Sequence, residues 1–193
     1  QKSINLASSS DAAVTGISFD ASGSFFATSQ GTQVDLWDLQ GAKSLFTWTF
    51  DEVVTSVAWN PVRGLPILAV THGSHVSLLA PPKAQFPGCS TAMEALSCGR
   101  GAEGSSDSWS IHSVDRIKIS LCGPARQVTW HRKGDYFATL AQPASTDSSA
   151  RSVVIHHLSR HASQQPFRRL PSTPISLAFH PTRPLLLLVS PAG

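Results

Sequence analysis

The sequence predicts an all-β fold made of repeated small sheets, and three observations predict it. One strand pattern recurs four times, at 14–20 (VTGISFD), 54–60 (VTSVAWN), 125–131 (ARQVTWH) and 174–180 (PISLAFH). Each copy sets an aliphatic residue two before an aromatic one, as Ile17/Phe19, Val57/Trp59, Val128/Trp130 and Leu177/Phe179, which is the period-2 spacing of a strand. Each copy then passes through a turn into a second apolar run, and three of the four continue into a third. Self-similarity of this kind decides the architecture before any single element is assigned.

The elements follow in order. The first unit, 1–48, has its repeat strand, a turn at Ser22-Gly23, an apolar run over 25–28 and a third strand over 34–39 (VDLWDL). Leu36-Trp37-Asp38 is the Trp-Asp signature that closes the third strand of WD repeats, whose units run about 40 to 45 residues. The fold class is therefore a WD-repeat β-propeller, and this unit is blade one. Blade two, 49–80, repeats the scheme with a turn at Arg63-Gly64, a run over 67–70 and a third strand over 76–80. Residues 81–112, rich in Pro, Gly, Ser and Ala without sustained periodicity, read as a flexible loop insertion. Blade three, 113–165, has a turn at Lys133-Gly134, a run over 136–139, a polar inner loop over 141–151 and a third strand over 153–158. Residues 166–193 start a fourth blade, with a turn at Arg183-Pro184 and a run over 185–189. The aromatic marks Phe19, Trp59, Trp130 and Phe179 are 40, 71 and 49 residues apart, so the period holds once and the two insertions lengthen it twice. Within each repeat strand a small residue (Ser18, Ala58, Thr129, Ala178) separates the large ones, which suits a strand wedged near a crowded axis. The expected object is an incomplete propeller of about three blades and the start of a fourth, a piece of something longer. Propellers remove sheet edges by closing a ring, so such a fan is expected to be poorly soluble unless further repeats hold it.

Composition agrees. Hydrophobic residues make up 41% and charged residues 14%, with 13 Gly and 13 Pro, which describes a turn-rich, weakly charged globular chain. The longest clean apolar run, 185–189, is far short of the roughly 18 to 20 residues that cross a bilayer, and the first residues lack a signal-peptide core. No membrane partner is expected. Cys89, Cys98 and Cys122 show no C-x-x-C spacing and read as reduced thiols. The net charge of +3 hides an asymmetry, because 148–193 holds five Arg and no acid.

Motifs that would carry chemistry fail on context. Gly99-Arg-Gly-Ala-Glu-Gly104 matches the dinucleotide string, but no strand leads into it and no amphipathic helix follows. His156, His157 and His161, and His72 with His75, have spacings that resemble zinc ligands, yet neighbours on a strand point to opposite faces, so His156 and His157 cannot chelate together. In register with blade one, His156-His157 replaces Trp37-Asp38, and both read as polar strand-end residues. No nucleophile elbow, zinc-protease helix or phosphate-binding loop occurs, so neither catalysis, a cofactor, a metal nor a small-molecule substrate is expected. What remains is the basic stretch 151–169. Arg151, Arg160, Arg168 and Arg169, with Gln164 and Phe167, either contact phosphate and stack a base or form a solvated basic loop.

A resemblance then narrows the reading. QVTWH at 127–131, Gly134-Asp-Tyr136, Ile155-His156, Leu158-Ser-Arg160, Ser163-Gln164, Pro166-Phe-Arg-Arg169, Phe179-His-Pro181 and Arg183-Pro184 resemble the C-terminal propeller of the block-of-proliferation ribosome-biogenesis proteins. The match runs through 114–190, and generic WD repeats lack the Leu-Ser-Arg…Ser-Gln-x-Pro-Phe-Arg-Arg string. The resemblance implies a non-catalytic scaffold in large-subunit assembly and pre-rRNA processing, located in the nucleolus and nucleoplasm. Its implied partners are a pescadillo-type protein, a second WD-repeat protein, pre-ribosomal RNA and the pre-60S particle. One departure is that His161 and Ala162 stand where the family has a longer basic run. The alternative is a generic WD-repeat adaptor outside ribosome assembly.

Overall fold

The computed structural model describes residues 12–82, 86–97, 108–113, 115–142 and 151–191. The first blade is an antiparallel meander of β1 (Val14–Phe19), β2 (Phe25–Gln30), β3 (Gln33–Asp38) and β4 (Lys43–Thr49). The second opens with β5 (Val54–Trp59), β6 (Leu68–His72) and β7 (His75–Leu79). After helix α1 (Cys89–Ser97) it is completed by β8 (Trp109–Ser113) and β9 (Arg116–Ser120), in the order β5-β6-β7-β9-β8. The third is β10 (Ala125–Trp130), β11 (Tyr136–Ala141), β12 (Val153–His157) and β13 (Ala162–Gln164), and a hairpin of β14 (Ser176–Phe179) and β15 (Leu186–Val189) begins the fourth.

The repeat seen in the sequence is repeated in the backbone. In all three complete sheets the first hairpin carries a register shift at the same place, between Val14 and Gly16, Val54 and Ser56, and Ala125 and Gln127. A bulge there adds twist where the innermost strand starts. The expected turns bring Gly23, Gly64 and Gly134 to φ near +70 to +80°, and at Gly134 a side chain would also collide with Asn60.

Three buried clusters fill the three blade boundaries. Ala27, Val34 and Leu36 of blade one meet Val57 and Trp59 of blade two. Ile67, Leu78, Ile117 and Ile119 of blade two meet Val128, Trp130 and Phe137 of blade three. Ala138, Leu140 and Val153 of blade three meet Leu177. Each inner strand thus turns its large residues toward the preceding blade.

Two expectations about boundaries are corrected. The stretch 81–112 is not wholly loop: α1 buries Cys89, Ala92 and Leu96 in the second boundary, and β8 begins at Trp109. Ser113 of β8 and residues 115–120 belong to blade two rather than blade three, because Ile117 and Ile119 alternate into the core beside β7 as its fourth strand. The glycine string at 99–104 and residues 143–150 of the inner loop lie outside the described residues, as does Cys98. Among the described residues no helix is long and apolar enough to cross a membrane.

Candidate partner and nucleic-acid interface

The outer edge of blade three is shaped by a reversal between β12 and β13. His157 ends β12 and lies with Nε2 2.7 Å from Asp135 Oδ2, while the Ser159 N–H donates to Asp135 Oδ1 at 3.0 Å. Burial alone would raise the Asp135 carboxyl; the hydrogen bonds from Ser159 and His157 outweigh it and hold it below its ordinary range. These bonds pin the 3-10 turn Leu158–Arg160, whose Leu158 is buried and whose Arg160 is exposed. His161 then takes the left-handed conformation (φ 47°), is 3% exposed, and stacks on Trp109 at 4.9 Å and 11°. Of the two residues that depart from the resembled pattern, His161 is therefore part of the core.

The candidate residues are only partly brought together. Arg160 and Gln164 face a hollow of about 260 Å³, bounded also by Tyr136, Ile155 and His157. The Tyr136 and His157 rings stack at 4.4 Å and 17° on its wall, and Tyr136 is 36% exposed. Gln164 borders a second hollow of about 240 Å³ with Arg151, Ser120 and Cys122. Gln164 therefore stands between two arginines, each at a concave surface. Arg168 and Arg169 are exposed farther along the connection to β14 and line neither hollow.

Phe167 is half-buried and packs against the third boundary, as Leu170, Phe179 and Leu186 do. Tyr136 is the exposed aromatic next to Arg160. Its place was hidden in the sequence because it opens an apolar run, and only the pairing of Tyr136 with His157 across β11 and β12 brings them together.

The histidines are also placed differently from a polar strand-end reading. His156 is fully buried, with Nε2 2.8 Å from Thr139 Oγ1 and Nδ1 2.8 Å from Ser163 Oγ, and burial pushes it down to about 3. His72 is buried with Nε2 2.9 Å from Ser77 Oγ; burial, then Arg116 and Lys118, lowers it to about 4. Among the described residues no group of three or more His, Cys, Asp or Glu is placed to hold a metal ion.

Comparison with known proteins gives a consistent set. No family model matches the chain. The chain is 36% identical over 159 residues to the Ribosome biogenesis protein BOP1 homolog of Brugia malayi, covering 79% of this chain and 24% of that protein. It is 32% identical over 196 residues to the homologue of Monosiga brevicollis, covering 93% and 24%. It is 32% identical over 162 residues to that of Chlamydomonas reinhardtii, covering 80% and 20%. The chain spans about a quarter or less of the length of these curated relatives. Among solved structures it is similar to the β-propeller domain of Cps50 (Swd1) from Myceliophteria thermophila, with a TM-score of 0.56 and 14% identity over 91% of this chain and 48% of that one. That likeness carries the propeller fold.

Proposed function

This chain belongs to the BOP1/Erb1 family of ribosome biogenesis proteins, over a stretch matching about a quarter of their length, and from that premise we propose a non-catalytic scaffold in large-subunit assembly. It holds partner proteins and pre-ribosomal RNA together during pre-rRNA processing, in the nucleolus and nucleoplasm. Its protein partners are a pescadillo-type protein and a second WD-repeat protein, within the pre-60S particle.

The observation that carries the RNA reading is the outer edge of blade three. Arg160 lies at a hollow walled by a stacked Tyr136–His157 pair, and Gln164 links it to the hollow of Arg151. A guanidinium contacts phosphate in a fork while an aromatic face takes a base regardless of its identity, the combination used for single-stranded RNA. Arg168 and Arg169 extend the positive charge along the exposed connection, with no acid between 148 and 193.

The test is RNA cross-linking and sequencing on the intact protein in cells, comparing wild type with a variant carrying Arg151, Arg160, Arg168 and Arg169 all changed to Glu. Large-subunit precursor RNA captured by wild type and lost in the variant is the expected result; capture of no ribosomal RNA by wild type overturns the reading. In vitro, affinity for a single-stranded RNA should fall log-linearly with salt, by a slope of about 0.7 per phosphate contacted.

A further inference from the structure

An arginine three residues before a serine or threonine is the pattern that arginine-directed protein kinases select, and the chain presents it at three places: Arg126 before Thr129, Arg160 before Ser163 and Arg169 before Ser172. The fold separates the three. A kinase cleft takes its substrate as a lone extended chain, so a strand held inside a sheet cannot enter it. Thr129 lies in β10 and pairs with Ala138 of β11. Ser163 lies in β13 and pairs with His156; its Oγ accepts from Trp109 Nε1 at 2.7 Å and lies 2.8 Å from His156 Nδ1. Ser172 lies in the connection from β13 to β14, which is neither strand nor helix over 165–175. Ser172 is half-buried, and its hydroxyl is neither enclosed nor hydrogen-bonded among the described residues.

The surroundings of Ser172 suit a phosphate. Arg168 and Arg169 are both exposed, so the residues a kinase would read stand in solvent ahead of the acceptor. Pro171 biases Leu170 before it toward the extended backbone that a kinase cleft requires. The repeat also supplies a precedent for charge. Leu170 stands at the place of Phe50 in the connection between blades one and two, and both pack on a blade boundary. Two residues on, Ser172 stands at the place of Glu52, an exposed carboxylate, so the blade architecture already carries a negative group there. Residues 165–175 hold two arginines and no acid, and a phosphate of about −1.5 to −2 charge would nearly cancel them.

We propose that Ser172 is a phosphorylation site for an arginine-directed protein kinase, and that the phosphate switches off the positive charge of Arg168 and Arg169. Ser172 Oγ attacks the γ-phosphorus of ATP; the new O–P bond forms as the bond to the ADP oxygen breaks, and the hydroxyl proton passes to the carboxylate base of the kinase. The site itself depends only on the geometry above. Its effect on RNA rests on the reading that these arginines contact pre-ribosomal RNA.

The test treats the intact protein with an arginine-directed serine/threonine kinase and magnesium ATP and maps phosphate by mass spectrometry of tryptic peptides. Phosphate is expected on the peptide that begins at Leu170 and not on Ser163 or Thr129. Ser172→Ala should abolish it, and Arg169→Ala should slow it about tenfold or more, since it removes a charge-assisted contact. Thermal midpoints of these surface variants check folding. No phosphate on Ser172, or an equal rate in Arg169→Ala, overturns the site. Oligouridylate affinity is then measured against salt for both forms: the phosphorylated protein should bind more weakly, with a slope lower by about 0.7 to 1.4, and Ser172→Ala treated with kinase should bind as untreated wild type does. Unchanged affinity on phosphorylation, where changing Arg168 and Arg169 to Ala does weaken binding, overturns the switch. If that double variant binds as wild type does, the RNA reading of these two arginines fails while the mapped phosphate still supports the site.

Discussion

Trp37 donates its indole N–H to Thr28 Oγ1 at 2.9 Å inside blade one, and the same place in blade three holds His156 against Thr139. Register makes the equivalence firm: Trp37 pairs with Phe26, His156 with Phe137, and in blade two Leu79 with Leu68. Blade two fills the position with Leu79 and faces it with Val70 where the others have threonine, so the polar pair is replaced whole. Replacing both partners by apolar groups is nearly neutral, whereas removing one leaves a buried group unpaired at about 1 to 3 kcal/mol. His156→Leu should therefore lower stability by that amount, and adding Thr139→Val should recover much of it; urea unfolding of the two variants reads the difference, and an equal loss in both would contradict the account. The same histidine gives an acid response. Its folded value of about 3, and that of His72 near 4, lie below the ordinary histidine value of 6.5, so both are neutral in the folded protein. The unfolded chain takes up protons first as pH falls, so stability is full above about pH 6.5 and declines toward pH 4 to 3, by at most about 1.4 kcal/mol per pH unit for each histidine. Unfolding midpoints at pH 7.5 and pH 5 should show the decline, and it should be shallower in His156→Leu.

Helix α1 and strand β8 couple two blades that the repeat alone would leave to pack face to face. Trp109 of β8 donates from Nε1 to Ser163 Oγ of β13 at 2.7 Å and stacks on His161, so the edge of blade two is fastened to the edge of blade three. Truncating a tryptophan that fills such a seam costs about 3 kcal/mol. In Trp109→Ala, amide exchange should quicken in β8, β9 and β13 and stay unchanged in β1 to β4; uniform quickening would mean that the insertion supports the whole fan. How much of this could be read from sequence follows from side-chain size. The first three strands of blades one to three were legible because the first alternates large and small residues and the next two are short apolar runs bounded by turns. The helix was not, because its buried residues, Cys89, Ala92 and Leu96, have helical spacing but are small at two of three places. β13 is three residues long, too short for any period to show, and β9 was assigned to the wrong blade because the insertion separates it from β7. The site followed the same rule: the arginines were visible as charge, but Tyr136 and the seating of His161 depend on pairing across strands.

At the scale of the molecule, one position read through four blades shows what holds the fan. Val57 is 8% exposed, Val128 4% and Leu177 1%, each covered by the blade before it; Ile17, the same position in blade one, is 55% exposed. Phe19, at 52%, contrasts with Trp59 at 5% and Trp130 at 7% in the same way. At the other end Leu185, Leu187 and Val189 are 47 to 54% exposed on the face that a following blade would cover. Strand chemistry is equal at all these places, so the difference is the neighbour, and burying an aliphatic or aromatic side chain is worth about 1.5 to 3 kcal/mol. Two uncovered faces at opposite ends of one object favour end-to-end contacts that do not close a ring, the arrangement that grows open assemblies. The 193 residues expressed alone should therefore self-associate with rising concentration in sedimentation velocity. Ile17→Lys with Leu187→Lys should shift the distribution toward monomer without altering the strand content seen by circular dichroism. A wild-type chain that stays monomeric at high concentration would mean that these faces are covered within the chain itself, against the exposure of Ile17, Phe19 and Leu187.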